Sequence, residues 1–101
     1  VTRRLRQKFR TQGEDERIAY SFSTTKWGSN PTGVVVAAYD VSDKFANVSS
    51  TVLFGNPGVN VNVITTPTVH SLTVGHKYRF EIQFTCSDNT FETYFTLRGE
   101  R

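Results

Sequence analysis

The sequence predicts an all-β protein: a two-layer sandwich of about seven strands, preceded by an extended basic arm. Three observations predict it. Fourteen threonines and twelve valines stand among 101 residues, and β-branched side chains suit a pleated, half-buried surface better than a helix. Apolar residues do not keep helical spacing over three turns anywhere, whereas period-two alternation recurs. Turn-forming clusters fall roughly every 8–12 residues, the rhythm of short antiparallel strands.

The strands follow in order. Ile18, Tyr20 and Phe22 share one face of a first strand near 16–23. Lys26–Pro31 is a turn cluster that carries Trp27. Val34–Tyr39 is apolar on both faces and reads as a central strand. Residues 40–47 read as a loop with Phe45 tucked beneath it. Thr51–Phe54 is a short strand stopped by Gly55-Asn56-Pro57-Gly58, and Val59, Val61 and Val63 form one face of the next. Thr66–Val69 is an edge piece, because Pro67 cannot donate to a central ladder. Tyr78, Phe80, Ile82, Phe84 and Cys86 alternate with Lys77, Arg79, Glu81, Gln83 and Thr85. Ser87-Asp88-Asn89 turns the chain, and Phe91, Thr93, Phe95 and Leu97 alternate with Glu92, Tyr94, Thr96 and Arg98.

Charge divides the chain. The first ten residues hold Arg3, Arg4, Arg6, Lys8 and Arg10 and no acid, while the other 91 hold seven basic and nine acidic side chains. The reading is a basic arm over 1–13 and a sandwich domain over 14–101. The plain alternative is a frayed, solvated tail. Leu5 and Phe9 favour docking, because they are apolar anchors that a solvating tail does not need. The alternation of the segment suits an extended strand added to the edge of an acidic neighbour. Its removal through residue 12 is then expected to leave a folded body. Nucleic acid is disfavoured: the body offers no helix for a groove, and Phe9 is the arm's one aromatic.

Composition narrows the function classes. The chain is 37% hydrophobic and 13% aromatic, too apolar for a disordered polymer. No apolar run approaches the roughly 20 residues of a membrane helix, so no membrane partner is expected. A single cysteine, Cys86, excludes an internal disulfide and a cysteine-rich zinc cluster, and its face marks it as a buried inert thiol. His70 and His76 lack partners at metal-ligand spacing, and Asp40, Asp43 and Asp88 form no calcium-loop run. No residue pattern assembles a nucleophile with a base, and no glycine-rich loop leads into a helix to hold a phosphate. No catalytic residue, metal ligand or cofactor is therefore expected. Asn47-Val48-Ser49 fits a glycosylation sequon that chance readily supplies.

Two surfaces remain. The polar faces of the last two strands are either solvated or a flat contact surface anchored by Arg79, Tyr94 and Arg98, residue types that carry interface energy. The Lys26–Pro31 loop offers Trp27 as a contact. A Trp27 that stacks on a sugar would make the chain a carbohydrate- or surface-binding module, which is the alternative function.

Leu72-x-x-Gly75-x-x-Tyr78 precedes the penultimate strand with the spacing of a tyrosine corner, which resembles immunoglobulin-like domains. Leu72 would plug the sandwich end, Gly75 would permit the turn, and the Tyr78 hydroxyl would bond to upstream backbone. A wider pattern adds to this: Leu5-Arg-Gln-Lys-Phe9, Glu14-Asp15-Glu16, Tyr20-Ser-Phe22, Trp27 in a turn, Gly75–Ile82, and a last strand ending Phe95-Thr-Leu97-Arg98. In order and character it resembles the small immunoglobulin-like virion proteins of tailed bacteriophages, the fibre–tail adaptors and related head, neck and tail accessory proteins. The resemblance implies a structural protein that connects or decorates tail, neck, fibre or capsid components. Its partners would be other virion subunits in a symmetric, multi-copy assembly. No leader-like segment opens the chain, which fits assembly in the host bacterial cytoplasm.

Overall fold

A computed structural model describes the backbone of residues 2–4 and the whole of residues 11–101. The strand segments are β1 (Thr2–Arg4), β2 (Thr11–Gly13), β3 (Ser21–Ser23), β4 (Thr32–Asp40), β5 (Ala46–Asn47), β6 (Leu53–Phe54), β7 (Gly58–Asn60), β8 (Val63–Thr65), β9 (Thr68–Val69), β10 (Lys77–Cys86) and β11 (Asn89–Glu100). A 3-10 turn covers Val41–Asp43 and one helical turn, α1, covers Ser49–Val52.

The first layer runs β1-β11-β10-β4-β5, with β2 also paired to β11. Its centre is the β10–β11 hairpin, in register from Lys77↔Arg98 to Cys86↔Asn89. Ser87 (φ 50°) and Asp88 (φ 67°) turn it, the two left-handed positions of a type I′ turn. Alternation then does what period two dictates: Tyr78, Phe80, Ile82, Phe84 and Cys86 are buried on one face. Phe80 lies directly across from Phe95, their rings stacked at 5.1 Å.

The second layer is built from fragments. β3 and β7 flank β8, β6 pairs with β9, and Ile18 bridges Val69. Tyr20 and Phe22 turn inward onto Phe95 and Phe84, at 5.5 and 6.3 Å between ring centroids. These contacts close an all-β sandwich. Tyr78 completes its corner: the hydroxyl accepts the Thr73 N–H at 2.8 Å, Leu72 is buried, and Gly75 sits at φ 84°.

Several expectations change. The first residues are not a segment apart from the sandwich where they are described. β1 pairs in parallel with Glu92–Tyr94, and β2 with Arg98–Glu100. The sheet therefore begins before the boundary drawn at residue 13. The reason is the open edge of β11, whose backbone groups β1 and β2 satisfy. Phe45 is not tucked away but 53% exposed, at φ 58°. Thr51 and Val52 belong to α1, not to a strand. Val59, Val61 and Val63 do not share one strand: the chain reverses at Val61-Asn62 between β7 and β8. Asn62 holds that reversal, its carbonyl accepting the Thr24 N–H and its side chain the Asn30 N–H.

Candidate functional site

The inner faces are spent on the core, so recognition falls to the outer faces, of which the first layer's carries the expected contact residues Arg79, Tyr94 and Arg98. Register assembles that face in rows. Tyr39, Arg79 and Thr96 form one row, Ala37, Glu81 and Tyr94 the next, and Val35, Gln83 and Glu92 a third. At its centre the Arg79 guanidinium carbon stands 3.8 Å from the Tyr94 ring centroid, a close cation–π contact. Arg79 Nε lies 2.9 Å from Glu81 Oε2, yet its N–H is not aimed along that contact and makes no hydrogen bond. Gln83 Nε2 donates to Glu92 Oε1 at 3.3 Å. Beside this polar centre Val35 is 57% exposed, and Ala37 and Tyr39 are half-buried.

The expected contact residues separate. Arg79 and Tyr94 meet directly. Arg98 stands at the end of the face, across from Lys77. Val35, Ala37 and Tyr39 were not foreseen as part of this surface. The unbroken Val34–Tyr39 run signals burial on both sides, and only the register beside β10 shows its outward half open.

Trp27 is not an open platform. Its ring meets Phe84 edge-on at 5.7 Å, and it is partly buried against the core. A glycine follows it for a steric reason: a Cβ at Gly28 would come within 2.8 Å of Cys86 Cβ. Of the basic arm, Arg3 and Arg4 lie in β1, while Leu5, Arg6, Lys8, Phe9 and Arg10 lie outside the described residues.

Two polar groups inside the fold went unforeseen. Gln12 is 1% exposed; its amide donates to the Val69 and Glu16 carbonyls at 2.8 and 3.0 Å, and its oxygen accepts the Tyr20 hydroxyl at 2.6 Å. It thus ties β2 of the first layer to β9 of the second. Burial, and next the nearby Glu16 carboxylate, push the Tyr20 phenol up to about 12. Asp40 receives His76 Nδ1 at 2.8 Å and the Ser42 N–H at 3.1 Å. This pair joins the end of β4 to the Gly75 turn. Among the described residues no three His, Cys, Asp or Glu side chains converge as a metal site would need.

The chain matches no known protein-family model and no curated protein sequence.

Proposed function

We propose that the chain is a structural interaction module, holding a neighbouring protein subunit on the outer face of its first sheet without catalysis. The observation that carries this reading is the Arg79–Tyr94 stack beside exposed Val35 and half-buried Tyr39. Tyr and Arg dominate interface energies when fixed in place, and a guanidinium already packed on a ring loses little freedom on binding. β4, β10 and β11, nine to twelve residues long and about 4.8 Å apart, offer on the order of 500 Å², less than the roughly 800 Å² each partner gives a standard interface and of the size of a small, transient contact. The tilt of Trp27 onto Phe84 supports the protein reading over a sugar-stacking one.

The resemblance in sequence pattern supplies the setting: a multi-copy subunit of a tailed-phage particle, in contact with tail, neck, fibre or capsid proteins. Mass spectrometry of purified particles is the test. The chain is expected at a stoichiometry set by the particle's symmetry, and Val35→Arg and Tyr94→Ala variants are expected to be incorporated at least about tenfold less, as for central interface residues. Absence of the chain from particles overturns the setting. Normal incorporation of both variants overturns the face.

A further inference from the structure

Lys77 and Arg98 face each other across the β10–β11 ladder. Like charges directly opposite oppose sheet formation, so a neutralising acid is expected beside them. Among the described residues none is in place. Asp43, next to the Ser42 whose hydroxyl accepts the Lys77 N–H, and Glu100, two residues from Arg98 on the same face, form no ion pair with Lys77 or Arg98. The same two cations line a concave pocket of about 360 Å³ with Gly75, Thr96 and Leu97. Its volume sits at the low end of ligand-sized pockets.

The geometry points to a carboxylate-binding site at this end of the face, taking an acidic side chain of the partner protein. The inference deepens the proposed protein contact and rests on it for the partner's class. An arginine fork and a lysine point charge together match one carboxylate. A nucleic acid is disfavoured, because Glu100 stands on one side of the pair and Arg79, the cation of the next row, is stacked on Tyr94 beside Glu81, which breaks a basic stripe.

The test uses the full ¹⁵N-labelled chain with three probes: a hexa-aspartate peptide, inorganic phosphate and a short single-stranded DNA. Hexa-aspartate is expected to shift the Gly75, Lys77, Thr96 and Arg98 amides saturably and to bind at least fivefold more weakly at high salt, as a screened ion contact does. Lys77→Glu is expected to abolish those shifts while raising the Tm by about 2–5 °C, because it turns a repelling pair into an attracting one. That opposite movement separates a lost site from a damaged fold. Shifts confined to residues before Thr11, unchanged binding by Lys77→Glu, or tighter binding of the DNA at these amides each overturn the inference. If Val35→Arg is excluded from particles while Lys77→Glu leaves hexa-aspartate binding intact, this inference fails alone and the proposed contact face stands.

Discussion

The two layers of the sandwich are held by different means. The first rests on an uninterrupted hairpin, with β10 ten residues long and β11 twelve. Aromatic rings fill its inner face. The second contains no segment longer than three residues. Its ladder breaks at Thr66-Pro67, where side chains take over. Thr66 Oγ1 accepts the Tyr20 N–H at 3.0 Å, the Thr66 N–H returns to the Tyr20 carbonyl at 2.8 Å, and Gln12 reaches across from β2. Continuous pairing needs little help from polar side chains. A fragmented sheet depends on them, because each break leaves backbone groups without a strand partner.

The largest effect is expected at the centre of the strong layer. Phe80 is fully buried and stacked on Phe95. Phe80→Ala is expected to cost about 3–5 kcal/mol, from lost burial and the cavity left behind. Urea unfolding followed by Trp27 fluorescence and by far-ultraviolet circular dichroism checks it. The two signals should fall together, because the second layer has no support of its own. A loss under about 1 kcal/mol would remove the hairpin from its place as the common support.

The next effects fall on the ties between layers. Gln12→Leu removes two donors and the acceptor of the Tyr20 hydroxyl, and is expected to cost about 1–3 kcal/mol. Deletion of residues 1–12, which a free arm would tolerate, strips β1 and all of β2 but Gly13, Gln12 included, and should cost at least as much. Equal stability of the deleted and full chains would show that the strands at this edge contribute nothing. Tyr20 gives the tie a pH signature. Its folded pKa of about 12 lies above the ordinary 10, so the fold favours the neutral phenol. The stabilisation is complete below pH 10 and is lost as pH rises from 10 through 12. The difference in tyrosinate absorbance between the chain and its Tyr20→Phe variant should rise with a midpoint near pH 12. A midpoint near pH 10 would break the tie.

Tyr78→Phe keeps the ring and removes one acceptor, leaving the Thr73 N–H without its partner. A cost of about 1–2 kcal/mol is expected by chemical denaturation. The same variant sharpens the comparison, because the corner sits at the entry to β10 and should leave the second layer's signals intact until the whole domain unfolds.

The strength of a layer also decided how legible it was. Tyr78–Cys86 and Phe91–Leu97 alternate over enough residues that the hairpin, its inward rows and its turn follow from period two. Leu72, Gly75 and Tyr78 carry their spacing locally. The second layer offers no such length. Val59, Val61 and Val63 alternate as a strand would, and the reversal between them depends on Asn62 meeting Thr24 and Asn30, residues more than thirty positions away. Gln12 looked like part of a tail because its partners, Val69 and Tyr20, are brought to it by the closed sandwich. On the candidate face, Arg79 and Tyr94 were readable as residue types with a shared side. Their direct contact, and the presence of Val35 and Tyr39 beside them, required the β4–β10 register, which side-chain alternation does not determine.

The smallest effect contrasts the two hairpin turns. Ser87 and Asp88 hold positive φ in the β10–β11 turn, and short polar side chains tolerate that conformation. In the β7–β8 turn positive φ falls on the first central residue alone, Val61 at 57°, where a β-branched side chain is strained and glycine would be at ease. Val61 is 67% exposed, so little burial offsets the strain. Val61→Gly is therefore expected to stabilise the domain by about 0.5–1 kcal/mol, a gain of roughly 2–6 °C in Tm. A drop in Tm would mean that the exposed valine makes contacts worth more than its backbone costs. The weak layer would then be held at its turn by apolar packing, not by the Asn62 hydrogen bonds alone.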